Sequence, residues 1–154
     1  MFASESVVET KKGRVTLGTV TPADSLVRKL NEEGPVFAPI SKVIVAPFAV
    51  RKEYIFFLDI VGMESQTPKQ IVCSGSAIFF TNTLPFAAEK LSQGDVLDAP
   101  EEPFMIRHIA VDEFNGGLTE IVLEDEEHTF VLNSVFVGDA DLSDRCKPES
   151  ANRL

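Results

Sequence analysis

The chain has 154 residues, 44% of them hydrophobic and 25% charged, with a net charge of −10 and a sequence pI near 4.6. That length fits one domain able to bury ~68–70% of its unfolded surface. The acidic balance gives a sequence-independent grip on phosphate backbones no help from the overall field, and no apolar stretch approaches the ~20 residues of a membrane-spanning helix.

The first twelve residues, Met1–Lys12, are polar and predict an arm. Arg14–Val20 follows Gly13 as a short strand. Thr21-Pro22 then carries helix-start signals: a hydroxyl at the N-cap, proline at the first helical position and Asp24 in the first turn. Leu26, Val27 and Leu30 share one face of that helix, Gly34-Pro35 ends it, and Pro35 to Pro39 reads as a loop. From Lys42 the pattern changes. Val43–Ala46 and Tyr54–Val61 are strands apolar on both sides, with Arg51-Lys52 as the turn between them. Gln70–Phe80 is a third such strand, bulged at Gly75. Pro85–Leu91 reads as a second short helix, and Asp95–Pro103 as an exposed connection.

Phe104 to Val137 predicts a three-stranded meander. Asn115-Gly116-Gly117 supplies residues that accept φ > 0, as a tight hairpin turn needs. Asp125-Glu126-Glu127 separates Leu118–Glu124 from His128–Val137. Gly138 opens a polar tail. The fold expected is therefore α+β, mainly β: a small antiparallel barrel or sandwich of about six or seven strands with two short helices. Residues 13–138 form its single globular domain, between the arm 1–12 and the tail 139–154.

Strands apolar on both faces need cover on both, either from the rest of the chain or from a neighbouring subunit. Charge is also divided: residues 1–77 carry a net +1 and residues 78–154 a net −11. The twelve phenylalanines, with one tyrosine and no tryptophan, read as core filling. The two cysteines, Cys73 and Cys146, read as reduced thiols, Cys73 inert within an apolar strand.

Constellations that could carry chemistry are few. In the expected meander His108 and His128 flank Leu123 at ~9.6 Å, too far apart to share a metal. Arg107 stands beside Glu124, with Glu127 on the next strand, as a cross-strand ion pair. Asp139, Asp141 and Ser143 resemble the start of a calcium loop, but Asp144 stands where the sharp turn needs glycine. No nucleophile elbow or phosphate-binding glycine pattern is present. No catalytic, metal-binding or cofactor-binding residue is assigned, and no cofactor is expected.

These observations favour a non-enzymatic structural or interaction protein, self-associating as a subunit of a homo-oligomer or larger assembly such as a virion, and located in the cytoplasm or the particle. The alternatives are a single-stranded nucleic-acid-binding protein with an oligonucleotide-binding-like barrel, contacting its ligand through Lys42, Arg51, Lys52 and Lys69, and an acidic inhibitor that mimics nucleic acid. Nucleic acid is disfavoured as a partner, and a membrane is not expected.

Overall fold

The structure, a computed structural model, describes residues 1–31, 34–46 and 54–146. The strands are β1 (Phe2–Ala3), β2 (Val7–Thr10), β3 (Gly13–Thr16), β4 (Ser25–Asn31), β5 (Gly34–Ala46), β6 (Tyr54–Gly62), β7 (Pro68–Cys73), β8 (Ile78–Thr81), β9 (Leu84–Ala87), β10 (Val96–Leu97), β11 (Phe104–Glu113), β12 (Leu118–Leu123), β13 (Thr129–Leu132) and β14 (Val135–Gly138). One α-helix follows, α1 (Ala140–Arg145), and two short 3₁₀ turns lie at Leu17–Thr19 and Ala88–Lys90.

All described pairings are antiparallel, and they join into one sheet of 14 strands in the order β10-β11-β6-β7-β1-β12-β5-β4-β2-β13-β14-β8-β9, with β3 beside β2. The expected six or seven strands with two helices are thereby corrected. β5 ties the two halves of the sheet together. Its first part pairs with β4, up to Pro39 opposite Ser25, and its second part pairs with β12, beginning at Ile40 opposite Leu123. The segment expected to be a loop between Pro35 and Pro39 is thus strand.

Both expected helices are strand or turn, for local reasons. At Thr21 the N-cap signal is satisfied by a turn: the Thr21 N–H donates to Asp24 Oδ2 at 2.8 Å, and the Asp24 N–H donates back to the Thr21 carbonyl at 2.9 Å. The same chemistry that starts a helix also closes a turn, and β4 then pairs along β5. In the second case Pro85 sits in β9, the terminal strand of the sheet, where a missing N–H costs no ladder bond on the open side. Only Ala88–Lys90 turns helically.

The meander is also rewired. Its first two strands exist, but β11 pairs with β6 and β10, whereas β12 pairs with β1 and β5, and the expected third strand, His128–Val137, is divided into β13 and β14, which pair with each other. Neither Gly116 nor Gly117 has positive φ; the Gly117 carbonyl accepts the Ser4 N–H at 2.9 Å instead. The two-residue hairpin turns with both residues at positive φ are, among the described residues, Asn82-Thr83 (φ 51 and 66), between β8 and β9, and Asn133-Ser134 (φ 47 and 71), between β13 and β14. Two successive positive-φ residues define a type I′ turn, whose twist matches the flanking strands.

The main core gathers Phe2, Leu26, Leu58, Ile60, Ile71, Phe79, Ile106, Phe130 and Leu132 from both halves of the sheet. A smaller cluster of Ala3, Ile55 and Val72, with Phe57, Phe114 and Leu118 against it, lies apart from it. The two faces of β6 are therefore covered from within the chain: Leu58 and Ile60 contribute to the first cluster, Ile55 to the second.

Candidate functional site

The site forms where the first residues of the chain meet the end of the last strand. β1 lies between β7 and β12, with Phe2 opposite both Cys73 and Thr119. Phe2 anchors it by edge-on contacts to Phe79 and Phe130 at centroid separations of 6.0 and 6.2 Å. Two bonds join Met1 to the turn after β7. Its carbonyl accepts the Ser74 N–H at 2.9 Å, and its ammonium donates to Ser74 Oγ at 3.0 Å. The ammonium also lies 3.4 Å from Glu120 Oε1, and Ser74 Oγ is 3.2 Å from Ser76 Oγ.

Across this seam stands Asp139, 2% exposed. Its carboxylate is satisfied on both oxygens. Oδ2 accepts the Leu123 N–H at 2.8 Å and lies 2.8 Å from His128 Nδ1, while Oδ1 accepts the Leu142 N–H at 2.9 Å and caps α1. A buried carboxylate without such donors would be strongly destabilising. His128 is itself buried and held at φ 54, its N–H donating to Asp125 Oδ1 at 3.0 Å and its carbonyl accepting the Asp139 N–H at 2.9 Å. A non-glycine residue held there stores strain, and such residues concentrate at functional sites.

α1 is tied to the same turn as the N-terminus, for Ser143 Oγ donates to the Ser76 carbonyl at 2.6 Å. Gly138 permits this approach: a Cβ there would lie 2.7 Å from Leu142 Cδ2 and 2.9 Å from Ile78 Cβ. Between the two sides remains a cavity of about 10 Å³, lined in part by Met1, Phe2, Glu120, Gly138 and Asp139, with room for at most one water. A larger open concavity of about 610 Å³ lies between Phe80, Asp98, Glu127 and Phe136. It is lined by no histidine or cysteine, so volume and chemistry part company here and the buried seam is the stronger site.

Residues singled out in the sequence fall in several places. His108 is exposed on β11 opposite Asp59, and His128 contacts Asp139; the expected arrangement of the two around Leu123 is replaced, because β11 and β12 do not pair. For the same reason Arg107 does not stand across from Glu124; it sits at the β11 bulge facing β6. Asp139, Asp141 and Ser143 form no cation loop: Asp139 caps α1, Ser143 is buried, and among the described residues no group of three or more His, Cys, Asp or Glu could hold a metal.

Lys42 is exposed on β5, and Lys69 on β7 reaches Ser134 Oγ at 2.8 Å; Arg51 and Lys52 lie outside the described residues. Both cysteines are free, and burial pushes the Cys73 thiol up to about 12. Sequence reading missed the seam altogether. The nearest signal was an acidic residue opening a short polar segment directly after a strand, Gly138-Asp139-Ala140-Asp141.

No family model matches this sequence, and no curated protein matches it. Solved structures do. A bacterial intein-like domain from Clostridium thermocellum aligns with TM-score 0.72 at 16% identity, covering 90% of this chain and 97% of that domain. The gp41-1 intein aligns with TM-score 0.65 at 17% identity over 90% of this chain and 97% of its own, and the MchDnaB-1 intein with TM-score 0.65 at 16% over 90% and 100%. At these identities the likeness defines the fold: this chain has the curled all-β fold of inteins. These matches, inteins by name, overturn the expectation of a non-enzymatic assembly or virion subunit, together with the oligonucleotide-binding barrel and the acidic mimic. Among the described residues no helix is long and apolar enough to cross a membrane.

Proposed function

We propose that this chain is a self-processing domain that cuts its own backbone on the carboxyl side of Asp139. The observation carrying this reading is the Asp139 carboxylate, buried beside its own main-chain unit and 2.8 Å from His128 Nδ1. The fold, shared with self-splicing domains, supports the same class of reaction. A carboxylate on an exposed turn is solvated and mobile; one immobilised by the Leu123 and Leu142 N–H groups has already lost that freedom.

In the proposed step a carboxylate oxygen of Asp139 adds to the Asp139 carbonyl carbon, and the C–N bond to Ala140 breaks. The departing nitrogen needs one proton. In the imidazolium form of His128 it comes from Nδ1 by way of the carboxyl group, the nitrogen leaves as a free amine, and the later hydrolysis of the anhydride returns the proton to His128. Water then opens the five-membered cyclic anhydride, giving one fragment that ends in Asp139 and another that begins Ala140-Asp141-Leu142. The net reaction is hydrolysis of one peptide bond.

Mass spectrometry of the purified chain, incubated for days near neutral pH, should show the fragment ending at Asp139. Asp139→Ala should stay intact. A wild-type chain that remains folded and uncut would overturn the proposal.

A further inference from the structure

The connection between β11 and β12 carries the chain's single Asn-Gly pair, Asn115-Gly116. We infer that this pair is a self-modification site, at which Asn115 loses its side-chain amide nitrogen and becomes aspartate or isoaspartate. The inference is independent of the cut at Asp139.

The reaction needs the Gly116 nitrogen to reach the side-chain carbonyl carbon of Asn115, and a locked turn resists that movement. In a tight type I′ hairpin both residues would be fixed at positive φ. Here the flanking strands leave for different partners, β11 for β6 and β12 for β5 and β1. Gly116 has no positive φ, Asn115 is exposed, and among the described residues no hydrogen bond holds the Asn115 amide or the Gly116 N–H. Glycine also has no Cβ to shield its nitrogen.

Asn82 and Asn133 are built differently. Each stands at positive φ in a type I′ turn and precedes a residue with a side chain, Thr83 or Ser134. The Asn133 amide is also tied at both ends: Oδ1 accepts the Val7 N–H at 2.7 Å, and Nδ2 donates to the Gln70 carbonyl at 2.9 Å.

In the step, the Gly116 nitrogen bonds to Asn115 Cγ and the Cγ–Nδ2 bond breaks. The Gly116 amide proton leaves with Nδ2 as ammonia, and the product is a five-membered succinimide. Water opens it at either carbonyl. One opening gives aspartate with the main chain as before; the other gives isoaspartate, whose main chain runs through Cβ and gains one atom. The net reaction is hydrolysis of a side-chain amide, with water as its only co-reactant.

The position gives the change a consequence. Gly117 holds β1, for its carbonyl accepts the Ser4 N–H at 2.9 Å, and Ser4 Oγ lies 2.8 Å from Thr119 Oγ1. On the other side Phe114 packs on Phe57 at a centroid separation of 6.1 Å. An extra main-chain atom between these two anchors displaces one of them, and isoaspartate therefore loosens β1 at Ser4.

The test is the full chain incubated for weeks in mildly alkaline buffer and mapped by peptide mass spectrometry. Asn115 should exchange –NH₂ for –OH about 10-fold or more faster than Asn82 and Asn133, because only its neighbour lacks a Cβ. With no fold-imposed barrier to the near-attack geometry, its rate should lie within about 5-fold of that in a short peptide spanning Phe114–Leu118. An isoaspartyl methyltransferase should label the product, and Asn115→Gln, which would need a six-membered ring, should remain unmodified there. Hydrogen exchange at the Ser4 amide should rise in the isoaspartyl form but not in Asn115→Asp, which has the charge without the extra atom. A folded chain that keeps Asn115 intact while the peptide converts, or conversion no faster than at Asn133, would overturn the site. Unchanged Ser4 exchange in the isoaspartyl form would overturn its link to β1.

Discussion

Asp139 is the residue whose loss should be felt most widely. Truncating it to alanine strands two backbone N–H groups and the His128 ring in a site closed to water, and it removes the cap of α1. Each buried unpaired donor costs ~1–3 kcal/mol, so a total near 3 kcal/mol is expected. Chemical denaturation of Asp139→Ala should show a lowered midpoint. Asp139→Asn retains an acceptor oxygen for the cap and should lose less. Equal midpoints for wild type and Asp139→Ala would mean that the carboxylate carries none of this network.

Among the elements, the type I′ hairpins offer the cleanest test. Thr83 is β-branched and sits at φ 66, where its Cβ crowds the backbone. Its N–H bond to Asp98 Oδ2, 2.7 Å, is made by the main chain and survives substitution. Thr83→Gly should therefore stabilise the protein by about 1 kcal/mol, read as a raised denaturation midpoint. A lowered midpoint would show that the Thr83 hydroxyl bond to the Asn82 carbonyl outweighs the backbone strain.

A second element is held by one charge. Glu102, in the connection before β11, accepts the N–H groups of Glu64 and Ser65 at 3.0 and 2.9 Å, and so fastens the turn between β6 and β7. The Ser65 backbone N–H, then the Ser65 hydroxyl, hold its carboxyl below the ordinary glutamate range. A lowered folded-state pKa means that the ionised form supports the fold. Its contribution is complete above the unfolded value, ~4.3, and is lost as pH falls through the lower folded value. Glu102→Gln should flatten this part of the acid limb of a stability–pH curve; an acid limb identical to wild type would remove Glu102 from the account.

Across the whole molecule, the N-terminal strand closes the structure. β1 is two residues long, yet it joins β7 to β12 and delivers Phe2 into the main core. Phe2→Ala should cost about 3–5 kcal/mol, the usual range for a buried phenylalanine, and should also loosen the Met1 contacts that define the seam. An urea titration reads the loss; a cost below 1 kcal/mol would place the closure elsewhere. Pairings such as Phe2 with Thr119 join residues far apart in the chain. Loop-closure entropy therefore opposes folding early, and refolding on the millisecond-to-second scale or slower is expected.

Residue pattern alone was enough for the β-rich character and for most strand positions. Val43–Ala46, Tyr54–Val61 and Leu118–Leu123 are β-branched and aromatic runs that no helix would favour, and the structure has strand at each. Local chemistry misled wherever one signal serves two structures. The Thr21–Asp24 hydroxyl and carboxylate close a turn as readily as they cap a helix, and Asn115-Gly116-Gly117 links strands that pair elsewhere. The hairpin turns at Asn82-Thr83 and Asn133-Ser134 lacked the glycine that usually betrays them. The seam was beyond reach of sequence. Met1, Ser74, Glu120, His128 and Asp139 are brought together by pairing β1 with strands at residues 68–73 and 118–123, and a pairing between distant segments is chosen by burial of the whole sheet, not by the residues on either side of a turn.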